Sequence, residues 1–246
     1  MSLSELQGFG CAWVRQRFCA PRLFALLSTL VLAWTGAAHA AGPTGLLNDT
    51  GITDCWNDTA VSNGTGIEAD TGTHPRQDRR YGRDPAATAG MTKTGAGSKG
   101  FDFTKIANNG SVLPASAALG SGATDWACTR DNVTGLIWEV KTSTGLRNQN
   151  YSYSWYNSDT ATNGGSAGTA AGGTCATAGR CDTEKFVADV NAAGLCGAST
   201  WRMPTRQELV SIVDYGRPYP GPTIDPTYFP NTPASDFWSA SAYICR

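Results

Sequence analysis

The sequence predicts an exported α+β domain held by disulfides, and three observations point there. The N-terminus reads as a leader, and six cysteines follow it. Two amphipathic stretches open on helix-capping residues. Several short alternating or apolar runs are bounded by Gly, Asn and Asp, as strands are.

The leader comes first. Arg15, Arg17 and Arg22 make a positive region, Leu23 to Trp34 is an apolar run of 12 residues, and Ala38-His39-Ala40 is a small-x-small cleavage pattern before Ala41. A spanning helix needs roughly 20 apolar residues, so the run predicts a removed signal peptide over residues 1–40, with no transmembrane segment left after cleavage. Cys19 precedes the apolar run and is misplaced for lipid attachment. The expected location is secreted, periplasmic or cell-surface.

Removing the leader removes Cys11 and Cys19, leaving Cys55, Cys128, Cys175, Cys181, Cys196 and Cys245. An even set in an exported chain reads as disulfides. Cys175 and Cys181 flank a short Gly-containing loop and form the expected local pair. Cys55 with Cys128 and Cys196 with Cys245 would complete the set. Zinc is not expected: C-x-x-C spacing is absent, and the mature chain has only His74. No cofactor is implied.

The whole chain carries a formal charge of -1; three Arg and one Glu lie in the leader, so the mature balance is 16 basic against 19 acidic residues, or -3. That is no footprint for a nucleic-acid partner. Residues 41–125 read as a loop-rich N-terminal extension and 126–246 as the main domain. Within the extension Phe101 to Ile106 alternates as a strand. Asp131 to Gly135 is a turn, and Leu136 to Val140 is a partly buried strand. Asp182 caps a first helix with Phe186, Val187 and Val190 inward and Gly194 as its stop. Thr205 and Glu208 stand in capping-box spacing for a second, with Leu209, Ile212 and Val213 as its stripe and Gly216 as its end. Four prolines between 218 and 226 stiffen the connection that follows. Phe237 to Ile244 reads as a last strand. The two helical segments are expected to lie against one bent pleated layer anchored by Trp138, Trp201 and Trp238.

At Asp131-Asn132-Val133-Thr134-Gly135-Leu136-Ile137-Trp138, Trp201-Arg202-Met203-Pro204-Thr205, Glu208-Leu209, Val213-Asp214-Tyr215, Phe229-Pro230 and Phe237-Trp238-Ser239 the chain resembles the bacterial Lcl C-terminal domain family. The family is named for the C-terminal domain of a collagen-like surface adhesin. The resemblance covers about Trp126 to Ile244. It implies a fold similar to C-type lectins and to the formylglycine-generating sulfatase-modifying enzymes, with two helices on a twisted, mostly antiparallel sheet. It also implies export. The naming adhesin binds sulfated polysaccharide and is oligomeric, which suggests a sulfated glycan or other polysaccharide partner here and admits an oligomer. Members usually continue past the Trp-Ser pair, so this chain is expected to lack the final strands.

Tyr151, Tyr153, Trp155 and Tyr156 are the candidate ligand contacts. Period two puts the first three rings on one face, and sugar C–H groups stack on such rings. Packing into the core is the plainer reading of the same pattern. Arg202 and Glu208 could line a polar site, but a capping and ion-pair role beneath the helix is the favoured reading. Catalytic residues are not expected, since a lone mature histidine offers no Ser/His/Asp set. Three functions follow in order: a non-catalytic, adhesin-like binding module; a protein-interaction scaffold of the envelope; and, remotely, an oxidase of the sulfatase-modifying type.

Overall fold

The computed structural model describes residues 14–15, 48–56, 61–62, 77–78, 83, 89–218 and 220–242. They form an α+β structure with few helices and a small antiparallel sheet. The strands are β1 (Val14–Arg15), β2 (Cys55–Trp56), β3 (Val61–Ser62), β4 (Phe103–Ala107), β5 (Trp126–Asp131), β6 (Ile137–Glu139) and β7 (Trp201–Arg202). The helices are α1 (Thr183–Ala192) and α2 (Arg206–Val210). The main sheet has the order β4-β5-β6-β1-β7, and β2 and β3 pair separately.

β5 is the backbone of the sheet. It pairs Thr104 with Arg130 and Ile106 with Cys128 on one side, and Thr129 with Trp138 on the other. β4 belongs to the extension, so that segment contributes an edge strand to the domain's sheet. It is also stitched in by carboxylates and amides. Asp102 Oδ1 accepts the Gly95 N–H at 2.8 Å and an Asn132 side-chain N–H at 2.7 Å. Asn48 Oδ1 accepts the Asp102 N–H at 3.1 Å, and Asp49 Oδ2 accepts the Gly100 N–H at 2.9 Å. Gly51, at φ +69°, lies so close to Asp214 that an ideal Cβ there would stand 2.0 Å from Oδ1.

Side chains leave the sheet in two directions and build two cores. One holds Ile106, Cys128, Ile137, Phe186, Val190, Leu195 and Trp201, with Trp238 packed against it. The other holds Phe101, Phe103, Leu136, Trp138, Ile212, Tyr228 and Phe229. Neighbouring residues of a strand face opposite ways, so Ile137 and Trp138 serve different cores. The three tryptophans are therefore divided: Trp201 and Trp238 serve the first core, Trp138 the second. The helical segments divide likewise. α1 sends Phe186 and Val190 into the first core, while Leu209 and Ile212 join the second.

α1 starts as its cap requires. Asp182 accepts the Lys185 N–H at 2.9 Å, and Gly194 turns left-handed at φ 61° to end the run. α2 carries the full capping box, yet it stops at Val210 instead of continuing to Gly216. After Val210 the bonds tighten to i→i−3, from Ile212 N to Leu209 O and from Val213 N to Val210 O. The Ser211 hydroxyl donates to the Glu208 carbonyl at 2.7 Å, and Asp214 N turns away to Thr223 O at 2.9 Å.

Two further expectations are corrected. The long-range disulfide joins Cys128 to Cys196, with Cα atoms 6.4 Å apart. The pairings of Cys55 with Cys128 and Cys196 with Cys245 therefore do not form. The cause is the 3-10 turn Leu195–Gly197, which folds back beneath β5 and brings the Cys196 carbonyl against Gly110. Cys55 is a buried free thiol, and Cys245 lies outside the described residues. Of the strand expected over 237–244, only a single bridge at Phe237 forms within residues 237–242; there Ala240 N donates to Pro204 O at 2.7 Å and the Ser239 carbonyl accepts the Trp155 indole N–H. Residues 243–246 lie outside the described residues. Val14–Arg15, within the segment expected as a leader, occupies a position inside the sheet. The apolar run and the Ala40–Ala41 junction of the leader lie outside the described residues. Among the described residues no helix is long and apolar enough to cross a membrane.

Candidate functional site

The aromatic segment 151–156 is not a regular strand. It is held by single bridges, Ser152 to Thr174, Ser154 to Asp182 and Tyr156 to Gly168. Tyr151 and Tyr153 keep to one face and pack on the first core, while Trp155 is fixed by the C-terminal segment. Tyr153 turns inward and is 9 % exposed, with its ring 4.6 Å from that of Phe186 and its hydroxyl donating to the Leu146 carbonyl. It is a core residue, so the expected ligand contact at Tyr153 is corrected. Tyr151 is half-buried against the same core.

Trp155 and Tyr156 are, like Tyr151, half-buried. The Trp155 indole N–H donates to the Ser239 carbonyl at 3.1 Å, which fixes the ring plane. One side of that ring is covered by Gly168, at φ +77°, where an ideal Cβ would sit 2.6 Å from Cε3; only glycine lets the loop lie so close. Tyr156 has Lys185 Nζ 5.4 Å from its ring centroid. Lys185 in turn pairs with Asp182 at 2.6 Å. The disulfide Cys175–Cys181, Cα atoms 5.4 Å apart, closes the neighbouring loop, as the spacing predicted. The surface is thus two partly exposed rings, one cation and a covalently closed loop.

Arg202, Thr205 and Glu208 form a closed polar knot. Both Glu208 oxygens meet Arg202, at 2.9 and 2.6 Å, and Oε2 also accepts the Thr205 N–H at 2.7 Å. Burial pushes the Glu208 pKa up, but the Arg202 hydrogen bond, the Thr205 N–H and the Arg202 charge outweigh it and leave it lowered. This knot fixes the start of α2 and leaves little acceptor capacity for a ligand. A carboxylate with a lowered folded pKa stabilises the fold above its unfolded value and loses that contribution as pH falls through the folded value. Glu208→Gln is therefore expected to lower stability at neutral and alkaline pH and to flatten its further loss below about pH 4, where the variant approaches the parent. Urea melts at stepped pH check this, and an unchanged acid limb would contradict it.

Two further groups have a functional appearance, Asp131 in the expected turn and Lys105, which the sequence did not single out. Asp131 is fully buried and accepts from Val133 N, Thr134 N and the Thr134 hydroxyl at 2.9, 3.2 and 2.7 Å. Burial raises its pKa despite those bonds. Its role is to hold the turn before β6, as the Asp-Asn-x-Thr-Gly pattern signals. Lys105 is buried with Nζ 3.8 Å from the Trp126 ring centroid and donates to the Ala117 carbonyl at 2.8 Å. It lines a cavity of about 260 Å³ with Phe103, Val112 and Tyr228. Only a fold that brings Trp126 beside β4 creates this contact, so local sequence carries no signal for it. Among the described residues no cluster of three His, Cys, Asp or Glu side chains could hold a metal ion.

Neither a characterised protein nor a solved structure is detectably similar to the chain. Residues 127–245 match the family model described as the Lcl C-terminal domain.

Proposed function

We propose that the chain is an exported, non-catalytic binding module of C-type-lectin-like fold, recognising a polysaccharide or another extracellular polymer in the manner of an adhesin. The family match over residues 127–245 carries this reading, since the family takes its name from a surface adhesin. Half-buried Trp155 and Tyr156, with Lys185 beside Tyr156, support it as the contact surface. Rings held by a hydrogen bond or a neighbouring cation lose little entropy on contact, and a cation suits a sulfated ligand. The polar groups of the Arg202–Glu208 knot and of Asp131 are engaged in holding backbone, which favours binding over chemistry.

Dextran sulfate is the direct probe. The protein should be retained on immobilised dextran sulfate at low ionic strength and released as salt rises. Tyr156→Ala should weaken binding about fivefold, the equivalent of ~1 kcal/mol of aromatic contact. No retention on either sulfated or neutral polysaccharides would sink the proposal.

A further inference from the structure

We infer that the gap between β6 and β7 is a strand-acceptor slot, and that the unprocessed chain fills it with its own N-terminal segment at Val14–Arg15. Val14 stands opposite Trp138 on one side and Arg202 on the other; Arg15 stands opposite Ile137 and Trp201. Both pairings are antiparallel, so β6 and β7 run parallel to each other, one strand position apart. Adjacent strands lie about 4.8 Å apart, so the flanking strands stand about 10 Å apart and cannot bond directly.

The two flanks depend on the occupant unequally. β6 is also paired to β5, so it keeps one ladder whatever lies in the slot. Among the described residues β7 has no other strand neighbour, and its link to the sheet runs through β1. It is otherwise held by the Asn191 side chain, which accepts the Trp201 N–H at 2.7 Å and donates to the Trp201 carbonyl at 3.0 Å, and by the Trp201 indole N–H, which donates to the Leu195 carbonyl at 3.0 Å. With the slot filled, Ile137, Trp138 and Trp201 are buried, and emptying it would leave the backbone groups of both flanks without strand partners. The slot is therefore a site for extended polypeptide, recognised by main-chain hydrogen bonds from both sides.

The occupant also lies ahead of the apolar run that begins at Leu23. Cleavage after Ala40 would carry it away. Seating the segment in the sheet and releasing it with the leader are mutually exclusive states of one chain.

The test uses the full chain, refolded unprocessed. With benzoylphenylalanine at position 16 in place of Gln16, irradiation should cross-link the N-terminal segment to peptides containing residues 136–140 and 200–203. Separately, Val14→Pro removes a backbone donor from the strand. Amide exchange over residues 137–138 and 201–202 should then speed up at least tenfold, while residues 104–106 of β4 stay unchanged. A synthetic peptide of residues 9–20 should restore protection. If Val14→Pro does not fold, the cross-link on the unaltered backbone decides. Absence of cross-links to both flanks, or unchanged exchange in a folded Val14→Pro chain, overturns the inference.

Discussion

Replacing Cys128 and Cys196 together with serine is expected to lower the unfolding free energy by about 4 kcal/mol, from the loop-closure entropy of their 68-residue separation. Replacing Cys175 and Cys181 closes off a separation of only 6 and should cost about 2 kcal/mol. The first bridge ties β5, the centre of the sheet, to the turn that follows α1. Its loss loosens the first core, because both sulfurs are inside it. The second closes a surface loop and bears on the aromatic segment instead. Urea denaturation of the two double variants against the parent measures both. Equal losses, or a larger loss from the short loop, would contradict the account of which bridge organises the core.

The second large effect is at Phe186. Its side chain is fully buried, with Tyr153 4.6 Å and Lys141 Nζ 5.3 Å from the ring centroid. Phe186→Ala removes the ring and leaves a cavity between α1 and the sheet, at an expected cost of about 3–5 kcal/mol. Phe186→Leu should cost appreciably less, since most of the volume is kept. Thermal or urea unfolding reads both. A small loss at Phe186→Ala would mean that the face of α1 is not packed as described.

The two caps were readable because a cap is a local object. Asp182 bonds a backbone N–H three residues away, and Thr205 and Glu208 bond each other across one turn. The end of α2 was not readable, because Asp214 is claimed from elsewhere. Lys99 pairs with it at 3.0 Å, and the Thr223 carbonyl takes its N–H. Neither partner is near in sequence. β5 was read only at its final turn. Thr129 and Asp131 look like solvent residues, yet both are buried, and the Thr129 hydroxyl reaches the Tyr228 carbonyl across 99 positions of sequence. Polar residues that find distant backbone partners mask the apolar pattern of a buried strand.

The candidate surface was partly legible for the same reason. Alternation placed Tyr151, Tyr153 and Trp155 together. Tyr151 and Tyr153 do keep to one face on the first core, while Trp155 is fixed by the C-terminal segment. The Cys175–Cys181 pair was legible from spacing. The Cys128–Cys196 pair was not, because it depends on Gly194 and Cys196 taking left-handed backbone, at φ 61° and 52°, to fold the turn beneath β5.

The central claim is that Trp155 and Tyr156 present a polymer-binding surface. Amide exchange with and without dextran sulfate tests it most directly. Exchange should slow over residues 155–158, 166–169 and 184–186, with β4 and β5 unchanged. Protection elsewhere with those segments unaffected would contradict it.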